Sequence, residues 1–193
     1  NEFLDSIELR TITDFQTFII VKERVLEAEN LLDSFWNLSL NDSSLYYTAA
    51  LAFERFYSAV VWSGFFGLSG KVYDLNSEHL RETCFRKLEE AEQIINYVNY
   101  YLPTFTRESK NTLDGAEDKR FLGEYELCIF EASKAKSEAG IIATVLGINS
   151  ESLDELVSEK LKIASRAISR EQDSGIFPIL AYSYYEYSNS LRE

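Results

Sequence analysis

Histidine is all but missing from this sequence. A single one, His79, occurs in 193 residues, beside two cysteines, two prolines, eight glycines and no methionine. One histidine rules out a di-iron bundle, which takes two Glu-x-x-His pairs from facing helices. Two cysteines supply no metal framework, and no cysteine–histidine couple, Gly-rich phosphate loop or GxSxG elbow is present. The scarcity of proline and glycine disfavours a turn-rich β fold and leaves room for long helices. Long apolar runs are missing too. The longest uncharged one, "AVVWSGFFGL" at 59–68, is about half of what spans a bilayer. No basic segment with a cleavage site opens the chain. With no methionine even at residue 1, the expectation is a piece of a longer protein.

Positive charge is also short. Thirty-two acidic residues against nineteen basic ones give a net charge of −13, a field that repels phosphate backbones, so no nucleic-acid partner is expected. The nearest approach to a basic patch, Lys119–Arg120 with Lys134 and Lys136, is interleaved with glutamates. Hydrophobic residues make up 46% of the chain, enough for a sizeable core rather than a disordered tail. Cys84 and Cys128 fall on the apolar stripes of two predicted helices. They read as buried thiols, with a disulfide as the less favoured alternative, and thiols suit a reducing, cytoplasmic location.

The pattern along the chain is helical. Residues 1–13 alternate around Ile7, Leu9 and Ile12 as an extended lead-in from an upstream domain would, and residues 14–193 read as one α-helical domain. Thr13 or Asp14 is the expected cap of a first helix to about Leu38, with Phe18, Val21, Val25, Ala28, Leu32 and Phe35 on one face. After "SLNDSS", a second helix from Ser44 is apolar nearly all round, which predicts a central element buried on several sides. A third runs from Asn76 to Leu102 with Leu80, Cys84, Leu88, Ala91, Ile95 and Val98 in one stripe, and Pro103 ends it. Residues 104–118 are polar and aperiodic and read as a linker, where trypsin should cut first. A fourth helix is expected over 119–146, stopped by Gly147. A fifth follows over 150–172, with Ser152 and Glu155 as a capping box, and a tyrosine-rich capping helix spans 176–191.

The third and fifth helices resemble each other. "NSEHLRETCFRKLEEAEQII" at 76–95 and "NSESLDELVSEKLKIASRAI" at 149–168 share nine of twenty positions without a gap. The preceding helices match at Phe53–Glu54 with Phe130–Glu131, and Gly70 matches Gly147. The spacing predicts two antiparallel hairpins, 44–102 and 119–172, written twice. An all-α fold of two repeated hairpins with flanking helices is similar in architecture to the tetratricopeptide-like right-handed stack. That resemblance implies a concave face for a partner. The period here is more than twice that family's, and its tryptophan–leucine–glycine signature is absent.

Four residues stand out as candidates for a polar or interaction site. Glu54 and Glu131 occupy equivalent places in the two hairpins. Facing each other, they could share a proton or hold a cation, as a metal-binding bundle or a free-standing enzyme would need. Pairing of Glu54 with a nearby lysine or arginine is the plainer alternative. Tyr182 and Tyr185 fall on the side of the last helix opposite Phe177, Leu180, Ala181, Tyr184, Ser188 and Leu191, and read either as interface anchors or as residues lying against a neighbouring helix. His79 reads as a solvated first-turn residue. The small helical nucleases of the HEPN class place an arginine four to six residues before their histidine, and no arginine stands there before His79.

"IELRTITDFQTFI" at 7–19 resembles the last strand and helix closing the protease domain of Lon-type serine peptidases, where "VxxVxTIxDAL" recurs. Some archaeal Lon-like proteins continue past that point into a helical C-terminal region, and this chain is similar to such a region. The resemblance covers thirteen residues, and the family's catalytic serine and lysine lie upstream, so no catalytic residue is carried over. The sequence therefore predicts a non-catalytic helical domain that engages a protein partner or its own upstream domain. It has no cofactor, no metal and no membrane span, and an oligomer is compatible with it.

Overall fold

Seven helices account for most of the chain in the computed structural model, which describes Leu4 and residues 6–36, 44–146 and 152–191. They are α1 (Ile12–Trp36), α2 (Ser44–Ser63), α3 (Ser77–Tyr101), α4 (Arg107–Phe121), α5 (Tyr125–Val145), α6 (Leu153–Asp173) and α7 (Ile179–Ser190), with a 3-10 turn at Pro103–Thr106. The predicted all-α class is what forms. The chain divides into two units rather than one domain: residues 1–73 with 165–193, and residues 74–164.

In the first unit α1 packs along α2. The start of α1 is a reciprocal cap. The Asp14 N–H donates to Thr11 Oγ1 at 3.0 Å, while the Thr11 N–H and hydroxyl donate to Asp14 Oδ2 at 3.0 and 2.8 Å. Thr11 is thus the cap, and Thr13 and Asp14, the expected caps, lie inside the helix. Asp14 does more than close its own helix. Its Oδ1 accepts from the Gly67 N–H at 2.8 Å and so fixes the turn after α2, where Gly67 takes a φ of 77° that other residues adopt with strain. Burial works against the Asp14 charge, but these donors outweigh it and hold its carboxyl below the usual range. Among the described residues of the expected lead-in, Thr11 makes an isolated antiparallel bridge to Val72 and the Tyr73 N–H donates to the Arg10 carbonyl at 2.9 Å. Leu4, Val21 and Ala59 form the core here, with Phe18, Val25 and Trp62 against them. The C-terminal helix joins this unit through α1. Thr13 Oγ1 donates to the Phe177 carbonyl at 2.9 Å, and the Leu180 N–H donates to Gln16 Oε1 at 3.1 Å.

The second unit contains a bundle of α3, α4 and α5. Asn76 caps α3 by accepting the His79 N–H at 2.9 Å, and His79 itself is exposed. All six residues of the predicted α3 stripe are buried. Five of them, Cys84 to Val98, meet an alanine-rich face of α5, Ala132, Ala135 and Ala139, whose short side chains let the helix axes approach closely.

Three expectations are corrected in this unit. Cys84 and Cys128 are not separate thiols: their Cα atoms stand 5.6 Å apart across the α3–α5 interface, and they form a disulfide. Opposed positions on two packed helices meet this way, and neither stripe alone reveals it. The inference to a reducing compartment loses its support. Residues 104–118, expected as a linker, are the 3-10 turn and most of α4. Their polarity is that of an outer face, while Thr106, Ser109 and Ala116 are buried. Lys110 Nζ donates to Asn99 Oδ1 at 2.6 Å and Thr106 Oγ1 donates to the same oxygen at 2.8 Å. Brief trypsin treatment should therefore leave this stretch intact. Mass spectrometry finding the first cut after Arg107 or Lys110 would contradict the helix. Finally, the helix expected over 119–146 is broken. The Glu124 N–H donates to the Lys119 carbonyl and the Gly123 N–H to that of Arg120, with Gly123 at φ 76°. This is the glycine-terminated cap that ends α4 and lets α5 begin.

The hairpin pairing also differs from the one expected. The helix against α2 is α1, and α3 packs with α5, so the stretch 44–102 is divided between the two units. The expected stop at Gly147 lies outside the described residues.

Candidate functional site

The sequence predicts α2 as the most buried helix, and its exposure is the largest departure from expectation. Over its twenty residues only Glu54 and Arg55 are charged, yet the only buried positions are Ala52 and Ala59. These two sit one heptad apart, and their small size lets α2 lie close on α1. The large side chains point the other way: Tyr46 is 82% exposed, Phe53 71% and Tyr57 60%. Half of an apolar helix is covered, and the other half is not.

The far end of α1 contributes to the same surface. Leu32 and Trp36 are exposed, and between the two helices runs an apolar groove of about 510 Å³ lined by Val25, Leu32 and Phe35 of α1 and Ala49, Phe53 and Phe56 of α2. A second hollow of about 400 Å³ continues it past Val25 and Phe56 towards Leu4 and Val60. Among the described residues, Glu29 is the only charged one lining either. Its lining is almost wholly apolar. It can bury apolar surface. A contiguous exposed apolar area beyond a few hundred Å² on a chain of this size marks an interaction site.

The four residues singled out from sequence have different surroundings. Glu54 is exposed on α2 beside Arg55, 3.6 Å away, and Arg55 also reaches Glu27 at 3.2 Å, the plainer pairing weighed above. Glu131 belongs to α5 in the other unit, half-buried above α4, where a Cβ at Gly115 would come within 2.6 Å of its Oε2. Burial pushes the Glu131 carboxyl up, against the pull of Lys119 and Lys134. A raised folded value means that the ionised form costs stability above it, and that the cost fades as the pH falls and the group protonates. Glu131→Gln should therefore melt higher than wild type at pH 7, with the gap closing near pH 4. A lower melting point at pH 7 would show that the charge is needed.

Tyr182 and Tyr185 share α7 and have different surroundings. Tyr182 is 39% exposed and rests on Phe177, with ring centroids 5.8 Å apart. Tyr185 is half-buried, and its hydrogen bonds with Asn189 and Ser165 lower its phenol pKa. Tyr184 and Leu191, expected inside, are exposed, and Ile179 is the buried residue of this helix. Docking on α1 through Thr13 and Gln16 rotates α7 relative to the face read from its sequence.

Sequence reasoning missed the α2 surface because an all-round apolar helix was equated with all-round burial. The signal was present. Tyr46, Ala50, Phe53, Tyr57 and Val60 repeat at alternating spacings of four and three, opposite the Ala52–Ala59 pair.

Among the described residues no three of His, Cys, Asp and Glu converge as metal ligands, and no helix is long and apolar enough to cross a membrane. No family model, no curated protein and no solved structure matches the chain.

Proposed function

We propose that this chain is a non-catalytic helical docking domain, and that the aromatic face of α2 with the groove beside α1 takes up a protein partner. One observation carries the reading. A helix with two charges in twenty residues fully buries only two alanines and leaves five of its six aromatic side chains exposed, Trp62 alone packing on the core, which is costly in water unless something covers them. The rival, an enzyme or cation site around Glu54 and Glu131, has less support: the first carboxylate is exposed and paired with arginine, and the second is half-buried above Gly115 with Lys119 and Lys134 near it. The resemblance of residues 7–19 to the segment closing Lon-type protease domains favours an appendage of a larger protein, in which the domain engages a substrate or an upstream domain. The repeated segments at 76–95 and 149–168 favour descent from a duplicated hairpin, and the docking role does not depend on a tetratricopeptide-like stack. The Cys84–Cys128 disulfide favours work in an oxidising compartment over the cytoplasm expected from free thiols.

A photo-crosslinking amino acid at Tyr57 should give a discrete covalent adduct in cells, while the same probe at exposed Tyr100 in the second unit should not. Equal labelling at both positions, or none at either, would remove the docking role.

A further inference from the structure

We infer, resting on the docking role proposed above, that the partner covering α2 is a second copy of this chain, joined about a twofold axis with the two α2 helices antiparallel.

Three features lead to this occupant. The first is periodicity. Tyr46, Ala50, Phe53, Tyr57 and Val60 are all exposed and repeat at the four–three spacing by which a helix presents a seam to another helix. The second is size matching. About an antiparallel twofold at Phe53, Tyr46 lies over Val60 of the second copy, Ala50 beside its Tyr57, and Phe53 against its own counterpart. Each bulky side chain faces a smaller one, apart from the ring pair on the axis, so the seam is complementary to itself, as an isologous interface requires. The third is area and charge. Seven apolar residues of α2 are more than half exposed. At roughly 150–250 Å² for a whole aromatic side chain, together they offer on the order of 800 Å². That is about what each partner buries in a stable interface. The chain carries a net charge of −13, so most of its surface repels a second copy. The α2 face, with the adjacent Glu54 and Arg55 as its only charges, bears none of that net charge and is where self-association is least opposed. With α1 behind each α2, the product is a four-helix arrangement of two hairpins.

The test uses the full chain with its disulfide intact. Sedimentation velocity from 1 to 100 µM should show a species of twice 22.2 kDa, and Phe53→Lys should weaken the dimer at least 100-fold while leaving the circular dichroism spectrum and melting of the monomer unchanged. Phe53→Cys should cross-link to itself under mild oxidation and Tyr46→Cys should not. Self-cross-linking of Tyr46→Cys would overturn the antiparallel register. A wild-type chain that stays monomeric throughout overturns the dimer. The photo-crosslinker at Tyr57 then separates the two levels. An adduct with a different protein retires the dimer and keeps the docking role, whereas a monomer without any adduct retires both.

Discussion

Replacing both bridge cysteines, Cys84→Ala with Cys128→Ala, should lower the unfolding free energy of the second unit by about 4 kcal/mol. The two residues are 44 apart in sequence, and closing a loop of that size removes chain entropy from the unfolded state worth about 4 kcal/mol. Both sulfurs also sit in a core cluster with Leu88, Ala116 and Ala132, so the truncation removes packing as well. The effect should stay local. Both tryptophans, Trp36 and Trp62, lie in the first unit, so tryptophan fluorescence reports that unit while amide exchange over 77–145 reports the bundle. Faster exchange in the bundle with an unmoved tryptophan transition is the expected result. A loss below about 1 kcal/mol would show that alanine-to-stripe packing holds α3 on α5 without the bridge.

Asp14→Ala should be the most damaging single change in the first unit, at about 3 kcal/mol. The Thr11 cap on the residue-14 N–H survives, but the Gly67 and Thr11 N–H groups, whose acceptor is Asp14, are left unsatisfied at about 1–3 kcal/mol each. Asp14→Asn keeps an acceptor and should cost less. The pH dependence has a definite sign. The folded carboxyl titrates below its unfolded value, so its contribution is full above about pH 4 and is lost as the pH falls through the folded value. The gap between wild type and Asp14→Ala, read by tryptophan fluorescence, should therefore be widest at neutral pH and close under acid. A gap that persists unchanged at pH 2 would assign the loss to packing rather than to the charge.

The helical class and the α3 stripe were legible because both depend on signals carried within a few residues. Asn76 caps α3, Pro103 ends it, and Leu80, Cys84, Leu88, Ala91, Ile95 and Val98 recur on one side at the helical period. The same local reasoning misplaced α4, because a polar helix with one buried edge at Ser109 and Ala116 has almost no periodic signal. Gly123 marked the break after it and was read through.

By itself, then, the sequence determined the all-helical class, where α3 starts and stops, which face of α3 is buried, and the acidic net charge. Those follow from composition and from interactions spanning one or two turns. Only the tertiary structure decided which faces meet. It joined two cysteines that lie on separate helices, gave Asp14 a second task at Gly67 fifty-three residues away, turned Tyr185 towards Ser165, and laid α2 on α1 through two alanines so that all its aromatics but Trp62 face outward. An apolar side chain specifies that it should leave water. It does not specify whether its cover comes from the same chain, and that choice is made by packing between segments far apart in sequence.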